Sequence, residues 1–352
     1  MSKPFVSALI DTYNQEEFIE EAIKSVLEQD FPASETEIVV VDDGSTDRTA
    51  EIVRKFAPRV RLLSKSNGGQ GSAFNAGIPE TRGEIVAFLD GDDWWAREKL
   101  TAIAEVFRAE PGVGLVGHGI SDVYLDGRSY KQVLREGCRF RLDSPEEAKR
   151  FRLRRGFLGT SRMAYRREIL QRIGNVPEAL RFEADEYLFT LAGFFADVVI
   201  LREALTFYRI HDKNLFQMSG GNAEAVRRKQ RVLAALVEAL KAALEKNGVS
   251  REISRVLLEC VEVEAEVLRL ELENGWPWET IAAELKILRI FHADASRWQH
   301  LFSYARLLPA GALPSKNYYR LRRALSRLEF YQGMRRKLMP FPVPNDIERR
   351  ET

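Results

Sequence analysis

The 352-residue chain has little cysteine: Cys138 and Cys260 are the only two, far apart and neither in a CxxC pattern. That excludes a thiolate metal cage and a disulfide framework, and both read as thiols of a reducing compartment. No run of 18 apolar residues occurs, so no segment is expected to span a bilayer. The opening MSKPFVSALIDTYN has no long apolar core, so no signal peptide is expected and the chain is read as cytoplasmic. An excess of one charge is lacking too. A formal net charge of +1 gives no global attraction for polyanions, and no nucleic-acid partner is expected.

What is present is a regular alternation. Phe5–Ile10, Glu37–Val41, Val60–Leu63 and Glu84–Leu89 are short apolar runs that read as buried strands. Between and after them, Glu16–Gln29, Thr46–Phe56, Ser72–Ile78 and Arg97–Arg108 carry helical spacing. Strand and helix alternating at this distance predict βαβ units, an α/β fold and a mostly parallel sheet flanked by helices. In such sheets ligands bind beyond the carboxyl ends of the strands. Residues 113–212 mix short strands, the stretch GFLGTS and a helix near Asp185–Phe195. After Gly221 the texture becomes long amphipathic helices, Ala223–Lys246, Arg251–Glu273 and Trp278–Phe291, so a boundary is placed at residue 220. The tail after Pro340 reads as irregular.

Two strands end in clustered carboxylates. In DGDD, Asp90, Asp92 and Asp93 crowd one tip with Gly91 allowing a tight turn. Like charges so close raise one another's pKa unless a cation or donors neutralise them. Mg²⁺ or Mn²⁺ takes one or two carboxylates and completes its shell with water and phosphate oxygens. A turn followed by a helix cap is the plainer reading of this motif taken alone. In DDGSTD, Asp42 and Asp43 lie at a second tip, where a carboxylate can accept the imide N–H of a uracil. Ser45, Thr46 and Asp47 are read as helix caps. Thr12, Tyr13 and Asn14 of DTYNQEEF line the same rim. Tyr13 is placed to cover a base and Asn14 to orient the loop. The loop NGGQGSAFNAG supplies Asn67, Gly71 and Asn75, but it is neither GxxxxGK[ST] nor GxGxxG.

These pieces occur together and in order. VSALIDTYNQEEFIEEAIKSVLEQ, EIVVVDDGSTDRT, NGGQGSAFNAG and GEIVAFLDGDDWW resemble the family-2 glycosyltransferases, inverting enzymes of GT-A fold. The resemblance implies a nucleotide-diphospho-sugar transferase fold with a helical C-terminal extension. It divides the chain into a catalytic domain, 1–220, and a helical region, 221–352. Residues 1–110 of that domain would form the nucleotide-binding half and 111–220 the acceptor half. It also implies a nucleotide-sugar donor, most often UDP-linked, and a Mn²⁺ or Mg²⁺ cofactor. Asp42 would hold the base, Asp90 the ribose or metal site, and Asp92 the cation on the diphosphate. Thr12, Tyr13, Asn14, Asn67, Gly71, Asn75 and Gly91 would complete the nucleotide site.

The resemblance extends to FEADEYLFTLA, similar to the family's acidic motif for the general base, and to FYRIHDKN, where His211 would be a metal ligand. The usual Glu-Asp is here Ala184-Asp185. Register against Leu188 gives the base to Asp185, with Glu183 and Glu186 as rivals. Phe74 stands where many relatives carry Arg. The processive QxxRW motif is missing, since Asp294 precedes Arg297–Trp298 at the Gln position, which argues for non-processive transfer. Trp94 and Trp95 fit either a sugar wall or core packing.

Two basic bands stand apart. Lys149–Arg172 has nine Lys/Arg and one Glu, and Ser315–Pro340 has eight basic residues and one acidic. Such runs usually form a solvated face. The first could border an acceptor or diphosphate. The second, interleaved with Tyr318, Tyr319, Leu321, Phe330 and Tyr331, suits peripheral contact with an anionic membrane or a lipid-linked acceptor. The long helices fit a membrane contact, a lid or a homo-oligomer interface. The acceptor is read as a glycan or lipid-linked glycan.

Overall fold

The computed structural model describes residues 4–211, 214, 223–291, 304–305, 307–326 and 347–351. The expected boundary at 220, Asp294, Arg297–Trp298 and most of the second basic band after Ser326 lie outside those residues.

The first half alternates as the sequence predicts. Strands β1 (Val6–Thr12), β2 (Thr36–Asp42), β3 (Val60–Ser64) and β4 (Ile85–Asp90) are separated by helices α1 (Ile19–Leu27), α2 (Thr49–Arg54) and α3 (Gln70–Gly77). A two-residue strand β5 (Trp94–Trp95) and α4 (Lys99–Ala109) follow. β1 pairs in parallel with both β2 and β4, and β2 with β3. Val6, Ala8 and Ile10 pack into one apolar cluster and Leu9 into another, as the two-residue period of a strand requires. Both faces are covered, which is why these strands read as unbroken apolar runs.

The second half departs from expectation in strand length. β6 (Val113–Tyr124) and β10 (Asp197–Ile210) are long and lie parallel to each other. Between them come β7 (Ser129–Leu134), β8 (Cys138–Phe140), α5 (Pro145–Arg152), β9 (Ala164–Arg166), α6 (Arg167–Ile173) and α7 (Ala184–Phe195). The antiparallel β9 joins β4 to β6, giving one eleven-stranded mixed sheet. β6 was hard to foresee because histidine, serine and aspartate interrupt its apolar run.

Helices α8 (Ala223–Lys246), α9 (Arg251–Leu272), α10 (Pro277–Phe291) and α11 (Ser315–Ser326) follow the amphipathic spacing. Val232, Leu236 and Leu240 of α8 and Leu257 and Val261 of α9 join the same apolar cluster as Leu9, Phe88 and Leu188. The packing therefore runs across the expected division. The tail corrects the irregular reading: Ile347–Glu351 forms an edge strand, β11, antiparallel to β7. Backbone pairing at a sheet edge needs no apolar alternation, so its sequence, IERRE, gave no strand signal.

Candidate functional site

β1 lies between β2 and β4, so the crevice beyond its carboxyl end is the topological switch point of the parallel segment. Register brings the acidic tips there. Thr12 is paired with Asp42 and Asp11 with Asp90. Gly91 lets the β4 tip fold onto β1, because a Cβ there would overlap the Gln15 amide and the Thr12 hydroxyl. That hydroxyl donates to Gln15 Oε1 at 2.8 Å.

On the β2 side, buried Asp42 accepts the Ser45 N–H at 3.0 Å through Oδ1. Asp43 has a different task. Its carboxylate accepts Gly68 and Gly69 N–H groups and Lys65 Nζ, the last at 2.6 Å, and so anchors the glycine loop. Asn14, at φ +52°, accepts the Thr46 N–H at 2.7 Å and braces the rim. None of the three expected caps occupies the N-cap of α2, which is Arg48; Asp47, one residue earlier, accepts the Thr49 N–H at 2.9 Å. Tyr13 is 46% exposed beside them.

Three further expected nucleotide residues make contacts within the protein. Asn75 makes a two-point clasp on Val176, donating to its carbonyl and accepting its N–H, each at 2.8 Å. A Cβ on Gly71 would lie 2.6 Å from the Leu180 carbonyl. Asn67 donates to the Asp43 carbonyl at 3.1 Å and accepts from Arg181. Their contacts seat α3 and its loop against residues 176–181. Phe74, at the arginine position, is fully buried edge-on to Phe88.

The β4 tip is a dense anionic centre. Burial raises the carboxyl pKa values of Asp11, Asp90 and Asp93, and neighbouring carboxylates raise them further: Asp90 and Asp92 act on Asp11, Asp92 and Asp185 on Asp90, and Asp92 and Asp90 on Asp93. Asp11 Oδ1 is buried without a hydrogen-bond partner. Sequence reasoning passed over Asp11, although a carboxylate interrupting an apolar strand end was the available signal. Ser161 serves the tip, since its hydroxyl accepts the Asp90 N–H at 3.0 Å and donates to Asp90 Oδ2 at 3.2 Å. Fully buried Lys99 holds the Ser161 carbonyl at 2.7 Å and stands 4.0 Å from the Trp95 ring centroid.

β10 delivers His211 to this tip. Its Nε2 lies 3.1 Å from Asp92 Oδ2, and the ring packs on Phe18. Arg209 reinforces the junction, donating through Nε to the Asp92 carbonyl and through its backbone N–H to Asp93, both at 3.0 Å. Trp95 is buried in the apolar core, whereas Trp94 is half-buried and stacks on Phe207 beneath Arg209. Among the described residues no three His, Cys, Asp or Glu side chains form a ready cage. One carboxylate and one imidazole in contact, beside an unpartnered buried Asp11 oxygen, fit Mn²⁺ or Mg²⁺ whose remaining ligands come from water and phosphate.

Asp185 stands in the first turn of α7. Its Oδ2 accepts the Thr160 N–H at 3.1 Å and the Thr160 hydroxyl at 3.3 Å, and Oδ1 accepts the Glu186 N–H at 2.9 Å. Burial raises its pKa, and those donors with Arg162 pull it back. Gln70, which sequence reasoning also missed, ties this turn to the donor side. It donates to Thr160 Oγ1 at 3.0 Å and Asp90 Oδ1 at 3.5 Å, and accepts the Ala184 N–H at 3.2 Å. It was the long polar side chain inside a glycine loop. Of the rivals, Glu186 is ion-paired with Arg155 and pushed up to about 6 by burial. Glu183 sits at φ +61° and is pushed up to about 8 by burial and by Asp185.

Residues 7–174 match the family model described as glycosyl transferase family 2. An uncharacterized glycosyltransferase of Nostoc sp. is 37% identical over 216 residues, 59% of this chain and 66% of that one, so the match spans just under two thirds of the relative. The poly(ribitol-phosphate) beta-N-acetylglucosaminyltransferase TarS of Staphylococcus aureus is 42% identical over 98 residues, 27% of this chain and 17% of that one. The structure of its residues 1–349 with UDP-GlcNAc superposes with a TM-score of 0.57 at 23% identity, covering 93% of this chain and 92% of that one. A mannosyltransferase from Pyrobaculum calidifontis, in complex with GDP-Man and Mn²⁺, gives 0.54 at 22% identity over 95% and 84%. The strand-tip crevice and these likenesses agree: over residues 7–174 the chain belongs to glycosyl transferase family 2, on a GT-A fold.

Proposed function

We propose that the chain is an inverting, divalent-metal-dependent glycosyltransferase. It would move a sugar from a nucleotide sugar, a UDP-sugar first, to an acceptor hydroxyl without processive elongation. The observation that carries this reading is the convergence of Asp11, Asp42 and Asp90 at one strand-end crevice, with Asp185 joined to it through Gln70 and Thr160.

Asp42 accepts the base imide, with Tyr13 over the ring and Thr12, Asn14 and Gly91 shaping the rim. Asp90 faces the ribose and diphosphate. Asp92 and His211 would hold Mn²⁺ or Mg²⁺, which when bound supplies charge stabilisation to the departing nucleoside diphosphate. Asp185 takes the acceptor proton as the new bond forms, since a hydroxyl becomes acidic only late in that step. Attack from the face opposite the leaving group inverts the anomeric centre. Holding donor and acceptor between the two halves supplies the orientation term. The TarS complex with UDP-GlcNAc supports a UDP donor, and the mannosyltransferase complex with Mn²⁺ supports the cation. The name of TarS supports a role in cell-surface glycan or glycolipid synthesis with a glycan or lipid-linked acceptor.

No described helix is long and apolar enough to cross a membrane. We place the protein in the cytoplasm, in peripheral contact with the inner face of the membrane through its C-terminal region. Exposed Trp276, Trp278 and Leu308 support that contact, because indoles favour the membrane interface. Residues 1–220 act as the catalytic unit and 221–352 as its helical region, which also offers the surface for a homo-oligomer.

The test is UDP release from UDP-GlcNAc and a panel of other nucleotide sugars, with Mn²⁺ and with EDTA, beside thermal-shift measurement of binding. Slow hydrolysis that EDTA abolishes is expected for the donor that stabilises the fold most. Binding of a nucleotide sugar with no turnover toward water or any acceptor would instead mark a catalytically silent nucleotide-sugar-binding protein or scaffold on the same fold.

A further inference from the structure

Arg155 lies between α7 and the C-terminal helix α9. One guanidinium nitrogen pairs with Glu186 in the first turn of α7, and another with Glu264 of α9. The arginine and Glu186 are largely buried, with side chains 17% and 12% exposed, whereas Glu264 reaches 38%. One turn earlier, Arg152 pairs with Glu259 of α9 at 3.1 Å. The basic band Lys149–Arg172 is therefore an ion-pair seam onto the C-terminal helices along this stretch. The seam ends at the catalytic turn. Glu186, held by Arg155, donates its N–H to Asp185 Oδ1, while Thr160 holds Oδ2.

We propose that Arg155 and Glu264 are positioning residues for Asp185, so that α9 fixes the turn that presents the base. The proposal rests on the reading of Asp185 as the base. Glu183, the N-cap of α7, has no side-chain cap bond and a left-handed backbone. The first turn therefore depends on contacts from outside the helix: Gln70 to the Ala184 N–H, Thr160 to Asp185, and Arg155 to Glu186. The third of these reaches the C-terminal helices. Arg155 also places a cation beside a crowded anionic turn. The groups facing that turn include Glu183 within it, Arg155 and Arg162 from the segment before β9, Tyr165 from β9, Lys229 from α8, Cys260 and Glu264 from α9, and Asp11 and Asp90 from the strand tips.

The experiment compares the full chain with Glu264→Gln and Arg155→Gln. Glu264→Gln is the conservative change at a partly exposed position and keeps the comparison informative if Arg155→Gln folds poorly. Hydrogen exchange of peptides covering 183–190 is expected to speed up in both variants, while exchange in β1 and β4 stays at the wild-type rate. In UDP-GlcNAc hydrolysis with Mn²⁺, kcat is expected to fall by about ten- to a hundredfold in Arg155→Gln and by less in Glu264→Gln, with donor KM unchanged. The acid limb of kcat against pH moves up in Arg155→Gln, because removing the cation favours the protonated carboxyls. It stays or moves down in Glu264→Gln, because removing the anion does the reverse. Unchanged exchange at 183–190 in both folded variants, or lowered kcat with an unmoved acid limb in Arg155→Gln, overturns the proposal. Faster exchange at 183–190 in a protein whose wild type turns over no nucleotide sugar supports the clamp and sinks the transferase reading instead.

Discussion

Single carboxylates carry the sharpest expectations. Asp92→Ala removes the carboxylate that meets His211 Nε2, and turnover is expected to fall to the detection limit at any Mn²⁺ concentration. Asp185→Asn should keep UDP affinity by calorimetry and lose roughly 10²–10⁴-fold in turnover. Burial raises the Asp185 pKa, so activity should be lost on acidification above the ordinary aspartate range, as falling pH protonates the base. Glu183 makes the opposite kind of statement, one about folding. Its carboxyl is held up at about 8 in the folded chain against an ordinary 4.5. The folded state binds that proton more tightly than the unfolded one. The resulting stability is full below the unfolded value and is lost as pH rises through about 8. Glu183→Gln should accordingly raise Tm at pH 8 and change it little at pH 5. The acidic tips were legible because strand, carboxylates and glycine are contiguous. Gln70, Thr160 and Arg155 were not, because each acts on residues from 20 to more than 100 positions away, and no local pattern encodes such a contact.

Among elements, the strands β1–β4 and helices α1–α4 of the first 109 residues follow from apolar period to within a few positions, whereas the two-residue β5 has no such signal. The later strands do not, because β6 and β10 take polar residues into a sheet whose partners are distant in sequence. Helix α3 is seated by its own residues. Asn75, Gly71 and the buried Phe74 all bind it to its neighbours. Phe74 packs on Phe88, which packs in turn on Tyr165. Phe74→Ala is expected to cost about 3–5 kcal/mol in urea unfolding, the range for a buried aromatic whose site cannot collapse. A stability change below 1 kcal/mol would show that the ring is not part of the packed core.

At the scale of the molecule, the sheet and the C-terminal helices share an apolar cluster. A chain ending at residue 220 would uncover the apolar face that α8 and α9 now fill. It should bind the dye ANS and aggregate at concentrations where the full chain stays dispersed. Equal solubility of the short chain would make the helical region a separate body. The tryptophans have a further consequence. Trp94 lies under Arg209, whose Nε holds the Asp92 carbonyl, while Trp276 and Trp278 stand in open water. Acrylamide should therefore quench Trp276 and Trp278 ahead of the adjoining Trp94 and Trp95, and Trp94→Phe would then isolate the part of the shielded emission that responds to events at Asp92.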